Sequence, residues 1–173
     1  LTHAHLDHVE GVPALRRFDP DVPIYLHEAD KGLYDAVELQ ARAFNLPSVG
    51  ALPDPTHTMT HGEELVFGSC RFQIRHAPGH APGHVILYWE EEGVAFVGDV
   101  VFQGAIGRAD LVGGDYHQLM GSIRTQVLTL PDDTRLLTGH GAETTVGWER
   151  KTNPFLIGQY GGEWNSVQAE NYI

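Results

Sequence analysis

The sequence predicts a single mixed α/β domain, and three observations carry that expectation. A length of 173 residues suits one hydrophobic core. With 42% hydrophobic and 20% charged residues, the composition is that of a folding globular chain rather than a disordered one. Short apolar runs of strand character alternate with helical periodicity, and no internal repeat or low-complexity tract interrupts them, so residues 1–173 are taken as one domain.

Residues 10–18 read as a short helix despite Gly11 and Pro13, because proline is tolerated in a first turn, and Asp19-Pro20-Asp21 ends it. Residues 23–26 form a short buried strand, followed by a helical stretch over 28–44 with Leu33, Val37, Leu39, Ala41 and Phe44 on its apolar face. Residues 45–61 turn to Pro, Gly, Ser, Thr and His, the composition of a long surface loop, expected to be poorly ordered. Strands at 64–67 and 71–74 flank Gly68-Ser69 as a hairpin, and strands at 85–89 and 94–97 flank the acidic turn at 90–93. Asp115 caps a helix over 116–128. A strand at 135–138 and a helix over 143–151, stopped by Asn153-Pro154, complete the pattern.

Lys plus Arg number 11 against 23 Asp plus Glu, a formal net charge of -12. Such a chain repels phosphate backbones and anionic membranes, so a small-molecule substrate is expected rather than nucleic acid or a membrane. The single cysteine, Cys70, excludes an intramolecular disulfide framework and a cysteine-rich zinc module, and fits a reducing cytoplasm. Its place in the predicted hairpin marks it as a small buried residue rather than a nucleophile. No run approaches the roughly 20 apolar residues of a membrane span, and no basic-then-apolar leader is visible. Residue 1 is leucine and the first motif starts at residue 3, so the sequence reads as lacking an upstream portion.

That motif, Thr2-His3-Ala4-His5-Leu6-Asp7-His8, gathers four metal-donor side chains within six positions. Residues two apart on extended backbone point the same way, so His3 and His5 can share one ion. If the chain then turns into the helix at Glu10, Asp7 and His8 face a second ion close by. Imidazole and carboxylate donors suit catalytic zinc, iron or manganese, whereas structural zinc favours cysteine-rich closed shells.

The motif resembles the signature of the metallo-β-lactamase superfamily, whose αββα fold gathers ligands from loops at one edge of two packed sheets. That family adds a histidine in a Pro-Gly-His turn, an aspartate after a glycine at a strand end, and a histidine in a Gly-His-Gly turn. All three occur in order, as Pro78-Gly79-His80, Gly98-Asp99 and Gly139-His140-Gly141. The resemblance implies an αββα sandwich lacking its first strands. It implies two divalent ions, zinc foremost and iron or manganese as alternatives. His3, His5 and His80 then correspond to the first ion's ligands, Asp7, His8 and His140 to the second's, and Asp99 to the bridging carboxylate. Residues 96–110 with Gly113-Gly114-Asp115, and residues 138–145 with Glu149-Arg150 and Asn153-Pro154-Phe155, are similar to glyoxalase II-like and persulfide dioxygenase-like bacterial proteins. The similarity covers the chain to about Leu156.

The implied reaction is hydrolysis of a thioester by water made acidic between two ions, with Asp7 orienting the attacking oxygen. The rival enzyme is a mononuclear iron persulfide dioxygenase, separated by its metal count; a noncatalytic metal-binding scaffold is the rival of another class. A class B β-lactamase fits less well, since common forms place a cysteine among the second ion's ligands. Glyoxalase II itself adds a helical carboxy-terminal domain that holds glutathione, where only residues 158–173 follow here, so the resemblance leaves glutathione specificity open. Of the 11 histidines, six stand outside the ligand set. His76 and His84 are candidates to orient ligands, while His27, His57, His61 and His117 are expected on the surface or in loops. Arg108 and Asp110 read as an ion pair bracing their loop, with substrate contact as the alternative.

Overall fold

A computed structural model describes residues 1–158; the part of the single-domain expectation that falls on 159–173, and the short tail contrasted with glyoxalase II, lie outside the described residues. The architecture is four layers. A six-stranded sheet, in the order β10-β9-β6-β5-β4-β3, is formed by β3 (Glu64–Phe67), β4 (Cys70–His76), β5 (Val85–Trp89), β6 (Val94–Gly98), β9 (Arg135–Thr138) and β10 (Thr144–Thr145). Alternation along β5 divides its side chains between two cores. Ile86 and Tyr88 pack under the helices α5 (Tyr116–Ser122) and α6 (Val146–Thr152), with Leu119, Ile123, Val127 and Val146. Val85 and Leu87 face the opposite way, onto Leu65, Ile74, Met59 and Tyr25.

Tyr25 belongs to the second sheet, β1 (Tyr25–His27) paired in parallel with β2 (His57–Met59). Its neighbour Leu26 points outward into a third core with Leu6, Val9, Val12, Tyr34, Val37 and Ala41, which come from α1 (Leu6–Val9), α2 (Val12–Phe18), α3 (Lys31–Asp35) and α4 (Val37–Ala43). Helices, sheet, sheet and helices thus stack in that order, the αββα class. Among the described residues no helix is long and apolar enough to cross a membrane.

Several elements differ from expectation. The first helix begins at Leu6, earlier than Glu10, because Leu6 and Val9 are buried against the α4 side while Asp7 suits a helix's first turn. Glu10 and Gly11 then separate α1 from α2, whose first turn holds Pro13. The stretch over 28–44 is broken into a 3₁₀ turn at Glu28–Asp30, α3 and α4. The loop over 45–61 ends in β2, and it is tethered rather than loose: the Glu38 carboxylate accepts from Ser48 Oγ and the Val49 and Gly50 amides, and Tyr34 Oη donates to the Pro53 carbonyl. Asp115 caps α5 by accepting from the Gln118 amide, but the helix widens into a π turn at Ile123–Val127. The last helix starts at Val146, since Thr144 and Thr145 are taken up as an edge strand against β9. A small hairpin, β7 (Val101–Phe102) with β8 (Ala105–Ile106), follows Asp99. Cys70 is half-buried rather than buried, at the hairpin end of β4 opposite Phe67.

Candidate metal centre

Strand direction brings the functional loops to one edge. β6 and β9 are parallel, with Gly98 opposite Thr138, so Asp99 and Gly139-His140 leave the sheet side by side; the Gly139 amide donates to the Gly98 carbonyl at 2.8 Å. β5 runs antiparallel to β6, which puts its start, and the loop before it carrying His80 and His84, at the same edge. The Val85 amide donates to the Thr2 carbonyl at 2.8 Å and lays the first motif alongside.

Three groups of donor atoms result, each with all members within 4.8 Å of one another: His3, His5 and His80; Asp7, His8 and His140; and His3, His8 and Asp99. His3 and His5 lie on extended backbone and share a side as alternation requires, whereas Asp7 and His8 project from α1 itself. His5 Nδ1 is 2.8 Å from His80 Nε2, and His140 Nε2 is 3.0 Å from Asp7 Oδ2. Asp99 touches both sets: its carboxylate lies 3.4 Å from His8, 3.5 Å from His80 and 3.4 Å from His140. Gly139 is required by space rather than by a turn, for a Cβ there would overlap Asp99 Oδ1 and lie 2.8 Å from His8 Cε1.

The surrounding bonds aim these groups. His80 Nδ1 meets the Arg108 carbonyl at 2.8 Å, which leaves Nε2 turned to the other donors. His84 is buried and stacks on His3; its Nε2 accepts from the Asp99 amide at 3.0 Å, so it positions the carboxylate through the backbone. His76 contacts no donor ring but lies 2.9 Å from the Pro82 carbonyl, bracing the same loop, and stacks on His27. His57, His61 and His117 are exposed and His27 is half-buried in β1. Arg108 and Asp110 form a two-point ion pair at 2.9 and 2.8 Å.

Three features escaped the sequence reading. Asp30 is fully buried and accepts from the Ala4 and Gly83 amides. Gln40 accepts from the Leu6 amide and donates to the Ala4 carbonyl. A cleft of about 650 Å³ opens over the donors, walled by Phe44, Leu46, Phe102, Ile106 and Leu111. No local motif announces any of them.

Burial and mutual repulsion hold His3 and His84 far below the ordinary histidine range. Burial and His80 lower His5 to about 4, and burial lowers His80. His8 goes the other way, since Asp99 and Asp7 outweigh its burial. Asp99 is held below the usual carboxylate range because His8, His80 and His140 outweigh burial. Neutral His3, His5 and His80 beside an ionised Asp99 are the protonation state a cation requires.

Without bound metal these histidines should weaken the fold in acid. The unfolded chain protonates them near the ordinary 6.5, while folded His5 waits until about 4, so the unfolded state binds more protons and stability falls as pH drops below 6.5. His8, being raised, opposes this in part. Urea unfolding of chelator-treated protein is expected to give on the order of 2 kcal/mol less stability at pH 5.5 than at pH 7.5. Equal stability at the two values would contradict the assignment of buried neutral histidines.

The donor chemistry fits divalent ions on structural grounds as well. His3 Nε2 and Asp99 Oδ1 are buried without a hydrogen-bond partner, which is costly unless another group satisfies them. An αββα scaffold with such a donor set at its sheet edge is suited to metal-dependent hydrolysis. Residues 1–140 match the metallo-β-lactamase superfamily, and the chain belongs to that family. It is similar to hydroxyacylglutathione hydrolase GloC of Haemophilus influenzae, 46% identical over 158 residues that cover 90% of this chain and 74% of that protein. A probable metallo-hydrolase of Bacillus subtilis, YqgX, is 39% identical over 159 residues, 91% of this chain and 74% of its own. The crystal structure of TTHA1623 in a di-iron-bound form superposes with a TM-score of 0.83 at 45% identity, covering 90% of this chain and 75% of that one. The crystal structure of BLEG-1 B3 metallo-β-lactamase gives 0.83 at 42% identity, covering 91% and 76%.

Proposed function

We propose that this metallohydrolase cleaves a thioester of the hydroxyacyl-glutathione type, in the cytoplasm, with two divalent ions, zinc foremost. The observation that carries the two-ion reading is the second donor group, Asp7, His8 and His140, set beside His3, His5 and His80 with Asp99 reaching both. The name of the Haemophilus relative supports the thioester, and the single cysteine fits a reducing compartment.

When bound, such ions supply a water of lowered pKa and a Lewis acid for the carbonyl. The protein's own contribution is positional. His3, His5 and His80 would hold one ion and Asp7, His8 and His140 the other, with Asp99 between. Asp7, half-exposed on the cleft side of α1, accepts a hydrogen bond from the attacking water and orients its lone pair. Phe102, Ile106 and Leu111 exclude bulk water from the acyl group, which strengthens every charge interaction beside it. A thiolate, whose conjugate acid has a pKa of about 8.5, leaves without prior protonation, so no general acid is demanded of the wall.

Metal analysis coupled to parallel thioesterase, oxygen-uptake and β-lactam hydrolysis assays tests the proposal. Thioester cleavage with about two metals per chain is expected. Oxygen consumption with glutathione persulfide, thioesters remaining intact, would replace it with an iron dioxygenase; preferential cleavage of β-lactams would replace it with the activity in the BLEG-1 name.

A further inference from the structure

The segment that presents His3 and His5 is extended, yet it pairs with no strand through residues 3–5, so its peptide groups need other partners. Side chains supply them. The Ala4 amide donates to Asp30 Oδ2 at 2.9 Å, the Ala4 carbonyl accepts from Gln40 Nε2 at 3.0 Å, and the Leu6 amide donates to Gln40 Oε1 at 3.0 Å. The other Asp30 oxygen accepts from the Gly83 amide at 2.5 Å, beside His84 and in the loop that carries His80. Asp30 is fully buried, and Gly83 presses against it so closely that a Cβ there would lie 2.6 Å from the Asp30 amide nitrogen and 2.9 Å from its Cβ.

We infer that Asp30 is a positioning residue that clamps the two ligand-bearing loops together, setting the separation of His3 and His5 from His80. The inference rests on the metal-centre reading above. Both carboxylate oxygens receive an N–H, which explains why the position holds an acid in a dry place: an amide has one acceptor and would turn its NH₂ toward one of the two donors. Serine offers a single oxygen and alanine none, so neither supplies two separate acceptor atoms. The clamp spans 26 residues to Ala4 and 53 to Gly83, so it joins segments that no strand pairing connects. Its action passes through Ala4 and Gly83 to the histidines, and Asp30 touches no donor ring in the contacts it makes.

The test uses the full chain and zinc. Wild type, Asp30→Asn, Gly83→Ala and the core control Val127→Ala are compared for thermal stability after chelation, for zinc affinity against a chromophoric chelator, and for the d–d spectrum of the cobalt form. Both site variants are expected to bind the first zinc at least about tenfold more weakly, with an altered cobalt spectrum. Val127→Ala, destabilised through the core under α5, keeps wild-type affinity and spectrum. Gly83→Ala retains the carboxylate and displaces it, so it carries the test if Asp30→Asn does not fold. Zinc affinity within twofold of wild type in the site variants overturns the clamp while leaving the metal centre intact. A wild-type chain that binds no zinc overturns both, and a Val127→Ala affinity that falls with its stability shows a merely structural effect and overturns the clamp alone.

Discussion

Replacing Asp99 with asparagine is expected to lower kcat/KM for hydrolysis at least about a thousandfold, or roughly 4 kcal/mol of transition-state stabilisation, and to reduce bound metal from two per chain toward one. The size follows from its position. Asp99 is buried, and its two oxygens face His8 on one side and His80 and His140 on the other, so it is the side chain common to both donor sets. Three imidazoles keep it ionised against its burial, and the two cations proposed above would need that negative charge. Asparagine preserves the shape but removes the charge. The fold should survive, because the backbone bond from the Asp99 amide to His84 does not involve the carboxylate. Asp110→Asn is the comparison: it breaks a partly exposed pair with Arg108 and is expected to change kcat/KM less than about fivefold. Two metals and activity within tenfold of wild type in Asp99→Asn would refute the shared role.

The candidate site was legible because its residue types have few other reasons to occur together. His3, His5, Asp7 and His8 cluster within one short segment, and each remaining donor follows a glycine with a physical duty: Gly79 and Gly98 have positive φ, and Gly139 makes room. The helix after Asp115 was legible through its cap, and the main antiparallel strands through alternation and the turns between them. What escaped is non-local. β2 exists because His57–Met59 finds β1 far back in the chain, in a parallel pairing that no turn specifies. Asp30 and Gln40 bind backbone amides and carbonyls, which every sequence contains, so their partners leave no mark on composition. The cleft wall joins Phe44 and Leu46, from the end of α4 and the loop after it, to Phe102 and Ile106 of the small hairpin. Only the folded chain brings those apolar side chains opposite one another.

Gly79→Ala should be the most damaging substitution for stability, lowering Tm by at least about 10 °C, a cost on the order of 5 kcal/mol. Gly79 has a φ of +127°, which L side chains rarely adopt, and its missing Cβ would collide with the amide nitrogen and Cα of Leu119 in α5. The obstacle is helix backbone, not the end of a flexible side chain. Nor can α5 move aside, since the Asp115 amide at its start donates to the Gly79 carbonyl at 2.7 Å and Leu119 is buried in the main core. Gly121, in the same helix, is the control: nothing lies within 4 Å of a Cβ placed there, so Gly121→Ala should be neutral or stabilise by up to about 1 kcal/mol through helix propensity. A Gly79→Ala protein melting within 3 °C of wild type would show that the loop can rebuild itself. The two Pro-Gly-His turns therefore need glycine for different reasons. At Gly79 the backbone conformation and the helix both demand it, holding His80 over the donors, whereas at Gly83, without a positive φ, the demand comes from the close approach of Asp30.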